Sequence, residues 1–182
     1  MEKTVYILLA EGFEEIEAIT PADILRRMDV NAVLVGVSSK QVTGAHGFEI
    51  TADMTLNRAA KTIPDGVILP GGMPGAKNLD SCRPVRELVA AVNEAGGVVA
   101  AICAAPMVLG RMGLLEGKKA TCYPGFEEHL QGAEVTGDSV TADGNFITAN
   151  GPGAAAEFGF AVGEKLSDDV TAAFVRRSMQ FR

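Results

Sequence analysis

The chain has 182 residues, with 23 acidic against 16 basic side chains and a formal net charge of −7. The basic residues are scattered apart from short pairs such as Arg26-Arg27 and Arg176-Arg177, which excludes the concentrated cationic face that nucleic acid requires. No apolar run approaches the roughly 20 residues that cross a bilayer, so no membrane partner is expected, and the length suits one α/β domain over residues 1–182.

Met1-Glu2-Lys3-Thr4 passes directly into a strand-like run, without the basic-then-apolar layout of a secretory signal. Three widely spaced cysteines, Cys82, Cys103 and Cys122, have neither metal-ligand nor disulfide-framework spacing. A cytoplasmic location and no metal are expected. Val5-Tyr6-Ile7-Leu8-Leu9 reads as the first, central strand, with a turn at Gly12. A helix follows from about Glu14 to Met28, with Ile16, Ile19, Leu25 and Met28 facing inward and a kink or a short break at Pro21. Asn31 to Val37 is the second strand. Val42 to Ile50, containing Gly44 and Gly47, is a small β excursion.

Val67-Ile68-Leu69 is the third core strand and ends in Pro70-Gly71-Gly72. A helix from about Ser81 to Ala95 carries Pro84 in its first turn and stops at Gly96-Gly97. Val98 to Ile102 is a buried strand running into Cys103, with a helix beginning within a residue or two and reaching Met112. Lys119 to Cys122 is a short strand. Glu134-Val135-Thr136 is expected to pair with Ser139-Val140-Thr141, and Asp143-Gly144 makes a hairpin before Phe146-Ile147-Thr148. Gly151-Pro152-Gly153 enters a helix to about Leu166, and Ser167 caps a last helix through Arg177. Apolar strands alternating with amphipathic helices predict an α/β fold with a mainly parallel sheet.

Ligands of such sheets bind beyond the carboxyl ends of the strands, and three features converge there. Cys103 sits at a strand-to-helix corner among small residues, the geometry of a nucleophile elbow, although burial as a structural thiol is the common fate of free cysteine. Gly71 and Gly72 leave backbone N–H groups open, and with the N–H of Ala104 they can form an oxyanion hole. The third feature is the acidic tract from Glu11 to Glu17. Glu14 and Glu15 suit the dipole of a first helical turn. Glu17 can turn toward the sheet edge, where burial would raise its pKa, but spacing alone does not choose it over its neighbours. His46 and His129 both read as surface residues, so no Cys-His dyad is assigned.

Four segments in order carry a resemblance: Ala10-Glu11-Gly12-Phe13-Glu14-Glu15-Ile16-Glu17, Leu69 through Ala76, Ala100 through Pro106, and Asn150-Gly151-Pro152-Gly153. Together they resemble the ThiJ/PfpI superfamily, in its DJ-one branch, over nearly the whole chain. The resemblance implies a flavodoxin-like three-layer sandwich, mainly parallel with helices on both faces, and a homodimer. It implies Cys103 as the reactive thiol, Glu17 as its protonated carboxyl partner, and Gly71, Gly72 and Ala104 as backbone donors. Gly151 and Pro152 would line the pocket. Tyr123 stands where many relatives place a histidine, and His46 where relatives place an arginine that reaches the partner's site. Ala105 replaces the glycine of some relatives. The implied substrates are small 2-oxoaldehydes or their early protein adducts, converted without a cofactor. The alternative is an oxidation sensor or redox-regulated chaperone working through Cys103. An amidase or peptidase is disfavoured by Tyr123. This reading expects the thiol pKa to lie about 3 units below its usual 8.5, which needs roughly 4 kcal/mol. A helix end of up to about 2 kcal/mol and a hydrogen bond of about 1.5–3 kcal/mol would supply it.

Overall fold

The apolar runs lie side by side in a computed structural model that describes residues 3–181. Met1 and Glu2, read above as leading into the first strand, and Arg182 lie outside the described residues. Seven strands form one sheet: β1 (Thr4–Leu9), β2 (Asn31–Gly36), β5 (Met54–Thr55), β6 (Gly66–Leu69), β7 (Val98–Ile102), β10 (Val140–Asp143) and β11 (Phe146–Ala149). Their order is β10-β11-β7-β6-β1-β2-β5, and every pairing is parallel except β10 with β11. Two small ladders stand apart: β3 (Gln41–Thr43) with β4 (Glu49–Thr51), antiparallel, and β8 (Lys119–Ala120) with β9 (Glu134–Val135), parallel.

Alternation along the strands builds two cores. Val5, Ile7 and Leu9 of β1 join one cluster with α1 (Glu15–Arg27), α6 (Ala155–Leu166) and α7 (Asp169–Ser178). Tyr6 and Leu8 join the other, with α2 (Leu56–Ala59), α3 (Gly75–Ser81), α4 (Arg83–Glu94) and α5 (Pro106–Arg111). Successive side chains of a strand point to opposite faces, so a strand buried on both faces feeds both layers. This is the flavodoxin-like three-layer α/β arrangement expected from the chain.

Several local expectations are corrected. Ile16 and Ile19 do not face inward: Ile16 is 52% exposed, while Glu17, Ala18, Pro21, Ala22, Ile24 and Leu25 form the buried face of α1. Pro21 lies inside that helix without ending it. Glu134–Val135 pairs with β8 rather than with residues 139–141, which belong largely to β10. Asp168, not Ser167, caps α7, its Oδ1 accepting from the N–H of Thr171 at 2.8 Å. β5, α2 and α3 are short and lack a periodic pattern long enough to read.

Candidate active site

The carboxyl ends of β6, β7 and β11 meet at Cys103, with the β1–α1 loop packed against the residues after β6. β7 ends at Ile102, and Cys103 takes φ 65°, the left-handed region that non-glycine residues rarely adopt. Such a residue costs about 1–2 kcal/mol and persists only when its surroundings fix it. Here both main-chain groups are pinned: the Cys103 N–H donates to Ala149 O at 2.8 Å, and Cys103 O accepts from the N–H of Tyr123 at 2.8 Å. The helix beyond begins at Pro106 rather than beside the thiol, after a three-residue turn, and α5 has only six residues.

Gly71 and Gly72 follow β6 and face this corner. A Cβ on Gly71 would lie 2.6 Å from Cys103 Cβ and 2.6 Å from Glu17 Oε2, so only glycine fits between the two side chains. Gly72 has φ +81°, and a Cβ there would meet Glu14 N at 2.5 Å. The expected role of Gly71 is altered, because its N–H donates to Glu17 Oε2 at 2.8 Å. The backbone N–H groups that favour a charged sulfur are those of Gly72 and Ala104.

α1 carries Glu17 into the interior, where it is 0% exposed. Glu17 Oε2 is held by Gly71, and Oε1 is buried with no hydrogen-bond partner. Burial, the largest effect, raises Glu17 from its ordinary 4.5 to about 7, against the lowering influences of Cys103 and the Gly71 N–H. Cys103 does not show the depressed pKa expected from the sequence. Burial first, then the neighbouring Glu17 carboxyl, push it up to about 12. Desolvation of the half-buried sulfur outweighs the helix end and hydrogen bond expected to lower its pKa. The two groups are coupled: a charged Glu17 holds the proton on the thiol, and burial raises both.

The remaining candidates divide. Tyr123 lies at the site, 46% exposed, with ring carbons 3.3 and 3.7 Å from where a Gly151 Cβ would stand. Gly151 and Pro152 follow β11, whose last residue accepts the Cys103 N–H, so they border the same corner. His46 does not join them within this chain. Its Nδ1 is 2.9 Å from Glu15 Oε2 and 3.5 Å from Glu14 Oε1. His129, in the 3-10 turn Glu127–His129, stacks edge-on with Phe126, its ring centroid 6.0 Å away. No histidine perturbs Cys103.

Glu14, Glu15 and His46 have the composition of a metal centre, with donor atoms within 4.8 Å of one another, but these atoms already satisfy each other and the 44–48 turn. The sequence reading missed this bridge. No local pattern signals it, because Glu15 and His46 lie 31 residues apart. A cleft of about 400 Å³ lined by Lys3, Asp65, Gly97, Val98 and Lys165 lies at the amino ends of β1, β6 and β7, away from Cys103.

Residues 3–165 match the model of the DJ-1/PfpI family. The chain belongs to the DJ-1/PfpI family. It is 39% identical over 167 residues to protein DJ-1 homolog B of Arabidopsis thaliana, covering 90% of this chain but 38% of that protein, so it spans well under two thirds of this relative's length. It is 34% identical over 168 residues to a Caenorhabditis elegans protein named glutathione-independent glyoxalase DJR-1.2, covering 91% of this chain and 89% of that one. The crystal structure of Drosophila melanogaster DJ-1beta superposes with a TM-score of 0.95 at 34% identity, over 100% of both chains. The four segments that carried the sequence resemblance thus lie within the DJ-1/PfpI match, and in the fold three of their residues, Glu17, Gly71 and Cys103, meet.

Proposed function

We propose that the protein is a cofactor-free enzyme acting on 2-oxoaldehydes, or on their early protein adducts, with Cys103 as nucleophile and Glu17 as the group that moves protons. One observation carries the reading: a fully buried carboxyl, with one oxygen held and the other unpartnered, stands beside a thiol at a left-handed corner. A base works best when its pKa lies near the operating pH, and Glu17 at about 7 meets that condition. The glyoxalase name of the Caenorhabditis elegans relative supports the same substrate class.

Glu17 as carboxylate accepts the thiol proton while sulfur bonds to the aldehyde carbon. The carbonyl oxygen, receiving charge beside the N–H groups of Gly72 and Ala104, takes the proton back to give a hemithioacetal. Glu17 then removes the hydrogen from that carbon while the neighbouring carbonyl oxygen gains a proton, giving an enediol. The hydroxyl on the sulfur-bearing carbon loses its proton to become the thioester carbonyl, and Glu17 returns a proton to the neighbouring carbon, leaving a thioester at the hydroxyacid level. Water cleaves the thioester and regenerates the thiol. The net change for methylglyoxal is addition of one water to give lactate. Tyr123, Gly151 and Pro152 border the substrate, and no histidine is needed for the proton's path.

The test is incubation with methylglyoxal and measurement of lactate. Turnover lost in Cys103→Ser and reduced at least about 100-fold in Glu17→Gln is expected for general acid–base participation. Turnover equal to wild type in Cys103→Ser would remove the reading. A second reading rests on Glu17 Oε1, which is unpartnered and, when protonated, can donate to an oxidised sulfur: Cys103 as an oxidation sensor. Intact-mass analysis after mild peroxide separates it, with oxidation confined to Cys103 expected and equal oxidation of Cys82 contradicting it.

The same proposal includes a homodimer and a cytoplasmic location. An apolar strip of exposed Ile16, Ile19 and Phe48 beside half-buried Ile50 supports the first. Three free cysteines, at home in a reducing compartment, support the second.

A further inference from the structure

The 44–48 turn between β3 and β4 takes no part in the proposed chemistry, yet it is fastened to the start of α1. Glu15 Oε1 accepts from the N–H groups of His46 at 2.8 Å and Phe48 at 3.4 Å. The Ala45 N–H donates to Phe13 O at 2.8 Å. On the near side, the Thr43 N–H donates to Glu11 Oε2 at 3.1 Å. The imidazole of His46 closes the arrangement, its Nδ1 lying between Glu15 and Glu14. Both carboxylates are largely covered, whereas the His46 side chain is 64% exposed.

We propose that His46 is a pH-operated clasp: protonated, it holds the 44–48 turn on the first turn of α1, and on losing the proton it lets that turn loosen. Among the described residues, no lysine or arginine pairs with Glu14 or Glu15. His46 is therefore their counter-charge, and once neutral it leaves two adjacent carboxylates facing each other. The charges facing the imidazole from α1 are Glu14 and Glu15; from the β1–α1 loop, Glu11 is engaged with Thr43. The hydrogen bond to Glu15, then the charges of Glu14 and Glu15, raise His46 above 6.5. Its contribution is full below 6.5 and is lost as pH rises through the raised folded value. The consequence falls on the strip that supports the proposed dimer, since Phe48 of this turn lies beside Ile16 and Ile19.

Amide hydrogen exchange tests the clasp, with rates corrected for intrinsic exchange between pH 5.5 and 8. Protection at Ala45, His46 and Phe48 should fall about 2- to 5-fold with rising pH in the wild type, the range of an exposed ion pair. His46→Gln should show the lower protection at every pH. His46→Lys, always charged, should keep the higher. The same pH dependence in His46→Gln as in wild type would overturn the proposal. So would a parallel loss of protection in β1, which would make the change global rather than local.

Discussion

Gly71 separates the two side chains on which the proposed chemistry depends, and the space there is smaller than a methyl group. Gly71→Ala should destabilise the protein by about 1–3 kcal/mol in urea unfolding, because a Cβ must displace Cys103 or the Glu17 carboxylate. Glu17 makes a separate prediction. Its pKa is 4.5 ordinarily and about 7 in the fold, so between those values the folded state holds a proton that the unfolded state has lost. Its stabilising contribution is present below 4.5 and lost as pH rises through 7, and the displacement corresponds to about 3 kcal/mol. In Glu17→Gln, the fall in unfolding free energy between pH 4.5 and 7 should flatten by that order. A slope equal to wild type would mean that the carboxyl is not desolvated. The place of Cys103 just past a buried strand was legible at this scale, because the apolar run of β7 ends at Ile102. The pKa of Cys103 was not legible, because desolvation depends on neighbours that spacing does not show.

The elements show where periodicity misleads. Apolar Ile16 and Ile19 invited an inward assignment, yet α1 turns Glu17, Ala18, Pro21 and Ala22 to the core. Small residues are needed there because α6 packs close: a Cβ on its Gly159 would approach Pro21 Cα at 3.0 Å. This close packing is also the setting in which Pro21 is accommodated, and the short break that local rules allow there does not occur. Long strands and amphipathic helices were legible, since their patterns repeat. β5 and the one-turn α2 were not, and β8 and β9 were read as strands without their mutual pairing, which tertiary contact fixes. The α7 cap was misplaced by one residue because Ser167 and Asp168 are both good caps. Asp168→Ala should therefore cost about 0.5–2 kcal/mol in thermal or urea unfolding, while Ser167→Ala should stay within about 0.5 kcal/mol.

At the scale of the molecule, both cores use alternate residues of the same strands, and the strand ends carry the site. Family and fold were legible because the motifs sit at those strand ends; the bridge from His46 to Glu15 was not, since it joins segments 31 residues apart. The exposed strip on α1 and β4 predicts that the proposed dimer dissociates in Phe48→Glu, read by analytical ultracentrifugation. A wild type that sediments as a monomer would contradict it. The central claim is that the buried thiol and carboxyl are coupled near neutrality. The direct measurement is the pH profile of Cys103 alkylation by iodoacetamide, followed by mass. Wild type should gain reactivity with an inflection near 7, where Glu17 ionises, and Glu17→Gln should lose that inflection and react only above the usual thiol range of about 8.5. An identical profile in the two proteins would contradict the account.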